Sequence, residues 1–239
     1  MTARVSRACA HRGDSGSLRE NTLPAMRSAL AKGAAVVEID VRLTADGDVV
    51  VLHDATLDRL WGDPREIEDV RTVELVAFGD ADHRPPLLAE VLPLFADTES
   101  RLVIDMDAAR PAAAAHAVVA ASGVVVDWCG HLEAMRVLRQ LDADARIWLP
   151  WAHEQPPVSL DLEELSPVLI NAPFPVVDDR FVNAVHDLGL PVTAWTIDDE
   201  SDLVRAIELG IDTITTNRLD RLQAMIATRS ASATKEQSR

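Results

Sequence analysis

Residues 34–54 read AAVVEIDVRLTADGDVVVLHD. The stretch begins as an apolar run of Val36, Val37, Ile39 and Val41, interrupted by Glu38 and Asp40 two residues apart. A hairpin-like turn follows at Ala45-Asp46-Gly47-Asp48, and a second apolar run ends in His53-Asp54. Side chains in a strand alternate faces, so Glu38 and Asp40 point the same way. Acids so placed could be solvated on an edge strand, but these apolar flanks describe a covered one. Two carboxylates side by side on a core strand repel and are costly to desolvate, so the pair asks for a cation or a site.

Outward from this stretch the chain alternates strand and helix. Strands are predicted to begin at Val5, Val36, Leu102, Val124, Ile147, Val168, Pro191 and Thr213. Helices are predicted between them, among them Leu87–Ala96, Pro111–Ala121, Leu132–Leu141, Asp178–Leu188 and Glu200–Leu209, with a weak one over His153–Leu165 and a last one over Leu219–Ala227. Asn21 or Thr22 is placed to cap the first helix, with Pro24 in its first turn. Short-spaced alternation implies a parallel sheet, and eight units in 239 residues favour closure into a (β/α)8 TIM barrel. An open doubly wound sheet would usually carry a glycine-rich phosphate loop after its first strand, and HRGDSGS has neither spacing. Residues 55–86 break the rhythm with Asp63-Pro64, Gly79-Asp80 and Pro85-Pro86. They predict a small insertion on the loop side without enough apolar content for a core of its own. The expected organisation is one barrel domain over residues 1–228 and a flexible tail over 229–239.

Composition narrows the partners. The formal net charge is -16, a field that repels nucleic acid and anionic membrane. Aromatics make up 4% and Tyr is absent, which leaves little for stacking single-stranded bases. The N-terminus lacks a long apolar segment and no apolar run approaches about 18 residues. A soluble, cytoplasmic protein acting on a small molecule is expected, with no stable membrane association. Cys9 and Cys129 lack metal-ligand spacing and lie in strand-like segments, where buried free thiols are expected.

In a (β/α)8 barrel the chemistry gathers at the C-terminal ends of the strands. His11 and Arg12 end the first predicted strand, Glu38 and Asp40 the second, and His53 ends the hairpin arm after it. Asp105 and Asp107 end the third, Trp195 lies near the end of the seventh, and Asn217 follows the eighth. Glu38, Asp40 and Asp105 are hard oxygen donors that suit Mg²⁺ or Ca²⁺ better than zinc. His11 and His53 suit acid–base work near neutral pH. Arg12 offers a planar fork for a phosphate. Together they suggest phosphodiester cleavage, with the cation and Arg12 neutralising charge on the phosphorus oxygens. Asp105 could instead be a plain strand-end acid, Asp107 is ambiguous, and Trp195 fits either core packing or a substrate-facing wall. Glu20-Asn21 reads equally as a helix-entry device. His83, His116, His131, His153 and His186 fall in loops or on helix faces and are left outside the site.

The pattern His11-Arg12-Gly13, Glu20-Asn21-Thr22, Glu38-Ile39-Asp40-Val41, Thr44-Ala45-Asp46-Gly47 and Val51-Leu52-His53-Asp54 resembles the glycerophosphodiester phosphodiesterase family. The resemblance continues more loosely through LVIDMD, Ala194-Trp195-Thr196-Ile197 and Gly210-Ile211-Asp212. It implies a TIM barrel with a small insertion after the second strand and a divalent cation on Glu38, Asp40 and Asp105. It also implies His11 and His53 as the acid–base pair, and Arg12, Glu20, Asn21 and Trp195 toward the substrate. The implied products are sn-glycerol 3-phosphate and an alcohol, by way of a cyclic phosphate. A lipid-directed phospholipase-like diesterase, or a weakened barrel that only binds a phosphorylated metabolite, are the alternatives. Two positions depart from the family. Its third strand commonly carries Glu, then Lys two residues on, where this chain has Asp105 and Asp107. Its last strand often reads Thr-Asp followed shortly by Pro, where this chain has Thr216-Asn217-Arg218. Asp107 exchanges a phosphate-attracting charge for a repelling one, which would add a metal ligand or favour a cationic headgroup such as choline or ethanolamine.

Overall fold

The computed structural model describes residues 5–157 and 159–237. Eleven strands appear in the order β1 Arg7–Ala10, β2 Val36–Leu43, β3 Val49–Val51, β4 Thr56–Leu57, β5 Asp63–Glu66, β6 Arg101–Met106, β7 Val126–Gly130, β8 Arg146–Pro150, β9 Leu169–Pro173, β10 Val192–Trp195 and β11 Thr213–Thr216. The helices are α1 Leu23–Ala31, α2 Asp58–Trp61, α3 Leu88–Val91, α4 Ala112–Ser122, α5 Leu132–Leu141, α6 Ser159–Leu165, α7 Asp179–Asp187, α8 Glu200–Glu208 and α9 Leu219–Gln237. The nine-stranded sheet runs β1-β11-β10-β9-β8-β7-β6-β2-β3, and β1 also pairs with β2, so the eight parallel strands close on themselves. The fold is the TIM barrel expected from the alternation of strands and helices.

Alternation along each strand divides the core in two. Val37, Ile39 and Val41 of β2, and Leu102, Ile104 and Met106 of β6, belong to the cluster that the surrounding helices cover. Cys9, Val36, Val103, Cys129, Trp148 and Leu169 form a separate cluster filling the lumen. Each parallel strand is therefore buried on both faces, which is why the strands read as unbroken apolar runs. Ile104 is fully buried, and truncating such a side chain to Ala costs about 2–5 kcal/mol.

Strand β2 outlasts its parallel neighbours and turns back through residues 44–48, so that Val41 pairs with Val51 and Leu43 with Val49 in β3. The hairpin expected from the turn residues is present. The segment after it is not coreless. Leu57, Ile67, Val70 and Leu75 are buried with Val50 and Leu52 of the hairpin, and Trp61 and Phe78 pack against them. The small core exists because the hairpin lends its outer face, which the composition of residues 55–86 alone does not reveal.

Three helices differ from expectation. The segment 87–96 splits into α3 and a 3-10 turn over Leu92–Phe95, with Pro93 at the junction. The segment 153–165 is helical only from Ser159, beyond Pro156-Pro157, and residue 158 lies outside the described residues. The last helix runs past Ala227 to Gln237, where fraying was expected, because nothing from 228 to 237 is Gly or Pro. The rest of that expected tail, residues 238–239, and residues 1–4 lie outside the described residues.

Candidate active site

The C-terminal ends of the strands bring His11, Arg12, Glu38, Asp40, His53, Asp105, Asp107 and Trp195 onto one cavity of about 240 Å³. Glu38 and Asp40 share the lumen face of β2, and Asp40 stands level with Asp105 across the β2–β6 ladder. The charge at this mouth is unbalanced. Burial first, then repulsion from Asp40 and Asp105, pushes the Glu38 carboxyl well above its ordinary range, against the pull of the Arg12 amide. Enclosure by the barrel wall, then Asp40, pushes Asp105 up to about 6, against the Cys129 thiol that donates to it at 3.3 Å. Gly130 makes room for this arrangement. A Cβ there would stand 2.6 Å from Asp105 Oδ1 and 2.2 Å from the Met106 carbonyl oxygen.

Arg12 is placed by a strained backbone. Its φ is +58°, in the left-handed region that a non-glycine residue adopts at a cost of roughly 1–3 kcal/mol. In return its amide donates to Glu38 Oε2 at 2.9 Å and its Nη1 donates to Glu20 Oε1 at 2.8 Å. Its Nε lies 3.1 Å from Asp40 Oδ2 without the alignment of a hydrogen bond, which leaves a buried N–H with no acceptor. Asn21, also in the left-handed region at φ +55°, donates from Nδ2 to Asp40 Oδ2 at 2.7 Å and accepts from the Asp40 amide at 3.2 Å. Thr22, not Asn21, caps α1. The two readings of Glu20-Asn21 are thus divided between neighbours. Thr22 supplies the helix entry, while Glu20 and Asn21 brace Arg12 and Asp40.

Each histidine has its tautomer set by its neighbours. Asn217 donates Nδ2 to the acceptor-only carboxylate of Asp198 at 2.7 Å, so its Oδ1 faces His11 Nδ1 at 2.9 Å and accepts from it. His11 then keeps Nε2 as its basic nitrogen, 4.0 Å from Glu38 Oε2. Burial, then Arg12, lowers the His11 pKa, with Asn217 opposing. At His53 the acceptor is Asp54 Oδ1, 2.7 Å from Nδ1. Asp54 is held at about 2 mainly by Arg59, so it too only accepts, and His53 likewise keeps Nε2 free.

Asp107 sits at the rim, 60% exposed, and forms an ion pair with Arg42. Arg42 also donates Nε to the His53 carbonyl oxygen at 2.6 Å. Arg42, on the same face of β2 as Asp40, thus neutralises Asp107 at the rim. Trp195 is 43% exposed, so it forms part of the wall and not of the core. Cys9 and Cys129 are free and buried. Among the histidines left outside the site, His131 caps α5 and His186 pairs with Asp212. Sequence reasoning missed Arg42, Arg59, Asp198 and Gly130. Of these only Arg42, two residues beyond Asp40 on the same strand face, carried a usable signal.

Donor chemistry at the mouth fits a hard divalent cation, because Glu38, Asp40 and Asp105 are oxygen donors whose charges repel one another. Among the described residues no group of three or more His, Cys, Asp or Glu is arranged to hold a metal ion.

The model of the glycerophosphoryl diester phosphodiesterase family matches residues 11–221. The chain belongs to that family. It is a phosphoric diester hydrolase of the glycerophosphodiester phosphodiesterase class. A glycerophosphodiester phosphodiesterase from Caldanaerobacter subterraneus is 28% identical over 233 residues, 87% of this chain and 92% of that one. Two solved structures share the fold. A phosphodiesterase from Oleispira antarctica, in complex with the product sn-glycerol-3-phosphate, superposes with a TM-score of 0.83 at 23% identity, covering 93% of this chain and 97% of that one. A glycerophosphodiester phosphodiesterase from Parabacteroides distasonis gives 0.81 at 22% identity, covering 95% and 99%.

Proposed function

We propose that the chain hydrolyses small glycerophosphodiesters to sn-glycerol 3-phosphate and an alcohol, with His11 and His53 moving the protons and a divalent cation, Mg²⁺ or Ca²⁺, held by Glu38, Asp40 and Asp105. One observation carries the proposal. Two imidazoles, each with Nδ1 committed to an acceptor, line the same cavity as four carboxylates and the Arg12 guanidinium. A neutral imidazole with a free Nε2 accepts a proton near neutral pH, and a second one, protonated, returns it.

In the first step one histidine takes the proton of a glycerol hydroxyl as that oxygen attacks phosphorus. The other gives a proton to the departing alkoxide, the P–O bond to the alcohol breaks, and a cyclic phosphate remains. In the second step the roles reverse. Water adds to phosphorus, one ring P–O bond opens, and the freed hydroxyl of sn-glycerol 3-phosphate is protonated. Arg12, pinned by Glu20 and Asp40, lines the cavity, where its guanidinium would meet a phosphate oxygen. A bound cation would supply further charge neutralisation at the phosphorus oxygens. Trp195 forms part of the wall against which the substrate would rest. A cavity of about 240 Å³ favours a small diester, since drug-sized ligands fill ~300–1,000 Å³.

The test is release of glycerol phosphate from a panel of glycerophosphodiesters, with Mg²⁺, Ca²⁺ or chelator, by the wild type and by His11→Ala and Glu38→Ala. Strong loss in both variants and in chelator is expected. Hydrolysis that survives all three would sink the site assignment. Cosedimentation with anionic or zwitterionic vesicles, and turnover of their lipids, would instead favour a lipid-directed diesterase. Among the described residues no helix is long and apolar enough to cross a membrane.

A further inference from the structure

The inserted segment reaches the site through one side chain. Arg59, on α2, donates Nε to Asp54 Oδ2 at 2.6 Å and Nη2 to Asp54 Oδ1 at 3.0 Å. The same guanidinium donates Nη1 to Glu20 Oε2 at 3.0 Å and Nη2 to Glu20 Oε1 at 2.6 Å. Both carboxylates are thus held in two-pronged contacts, the geometry that a planar guanidinium favours and an ammonium cannot reproduce. Glu20 Oε1 also accepts from Arg12 at 2.8 Å, and Asp54 Oδ1 also accepts from His53 at 2.7 Å. The result is a continuous chain of alternating charge, Arg12–Glu20–Arg59–Asp54–His53, across the rim of the cavity. A second contact ties the same two segments, since the Arg19 guanidinium stacks 4.4 Å over the Trp61 ring at the end of α2.

We propose that Arg59 is a positioning residue that locks the Asp54 carboxylate onto His53 Nδ1, and Glu20 onto Arg12, so that the insertion sets the geometry of both sides of the cavity. Without the fork, Asp54 is free to rotate about its side-chain torsions. His53 then exchanges between its two neutral tautomers, and only the one with hydrogen on Nδ1 leaves Nε2 able to accept a proton. Glu20 loses two of its three guanidinium bonds and holds Arg12 less firmly. Arg59 itself touches no reacting atom in this scheme. The inference rests on the proposed acid–base use of His53 for its effect on rate, but not for its effect on the imidazole.

The experiment combines ¹⁵N imidazole NMR at a pH where histidine is neutral with steady-state kinetics, on the wild type, Arg59→Gln, Arg59→Lys and Arg19→Ala. The wild type is expected to show the Nδ1–H tautomer at His53. Arg59→Gln should show a mixture, with kcat lowered at least about tenfold, toward the 10²–10⁴ that a positioned acid or base contributes, and KM changed less. Arg59→Lys should recover only part of either signal, because it restores charge without the fork. Arg19→Ala removes the stacking contact alone and should keep the wild-type tautomer and kcat. A wild-type His53 tautomer in Arg59→Gln overturns the inference, whatever happens to the rate. So does a fall in kcat that only follows a loss of folded protein by circular dichroism. The NMR arm uses no substrate, so its failure speaks against Arg59 alone, whereas an active His53→Ala would speak against the reading of the site.

Discussion

The barrel carries charge at both ends of its lumen, and the two ends handle it in opposite ways. At the N-terminal end Asp127 is 2% exposed. It accepts from Arg146 Nε at 2.7 Å, from Arg101 Nη1 at 3.3 Å and from Trp148 Nε1 at 2.8 Å. One acid meets two guanidiniums and an indole N–H. At the C-terminal mouth four acids, Glu38, Asp40, Asp105 and Asp107, meet the two guanidiniums of Arg12 and Arg42. Cys9, Val36, Val103, Cys129 and Leu169 separate the two ends with apolar packing. A buried acid surrounded by donors is what a fold needs in order to be closed. Buried acids that repel one another weaken a fold unless a ligand answers them, and in this architecture the C-terminal face is where ligands bind. The difference separates what the chain spends on standing from what it spends on acting.

Substitutions at four positions bear on that contrast, in falling order of expected effect. His11→Ala at the mouth should lower turnover of a glycerophosphodiester by about 10²–10⁴ while its melting transition stays close to wild type, checked by steady-state assay and thermal melt. Asp127→Ala at the closed end should do the reverse. Two arginines and an indole lose their shared acceptor, and urea unfolding should show a loss of about 1–3 kcal/mol, with turnover per folded molecule retained.

Asp105→Asn, in chelator-treated protein, should stabilise, since it removes a charge held against its neighbours. The folded pKa of Asp105 is about 6 and its ordinary value is 3.8, so the ionised form weakens the fold fully above pH 6. That penalty fades as pH falls through 6 toward 3.8. The variant's advantage over wild type should therefore be about 1–3 kcal/mol at pH 8 and vanish near pH 4, read as a difference between paired unfolding curves. An advantage that does not change with pH would show that the gain comes from something other than charge. Asp107→Asn, on the exposed rim pair with Arg42, should change stability by no more than about 1 kcal/mol. If Asp107→Lys then speeds every diester equally, a role for Asp107 in selecting cationic headgroups is excluded.

Much of this molecule could be read before any coordinate. The eight parallel strands begin within two residues of their expected starts, because Val and Ile runs buried on both faces leave a strong signal. Glu38 and Asp40 stood out for the same reason, as charges inside such runs. That His11, His53 and Asp105 meet at one cavity followed from their places at strand ends. The supports of these residues were not legible in the same way. Asp198 orients Asn217 from a loop 19 residues away, and Arg59 meets Glu20 across 39 residues from a stretch with no period. Neither position carries a pattern, because a hydrogen bond between loops imposes no spacing on the sequence. Gly130 is needed for a close approach that exists only once β6 and β7 are paired.

The surplus of acid at the mouth is proposed to hold a cation. Thermal melts of chelator-treated protein titrated with Mg²⁺ and, separately, Ca²⁺ test it most directly, run on the wild type, Asp105→Asn and Asp127→Asn. One or both cations are expected to raise the melting temperature of the wild type and of Asp127→Asn in a saturable way, and to leave Asp105→Asn nearly unmoved. Equal stabilisation of all three proteins, or none of the wild type, would contradict it.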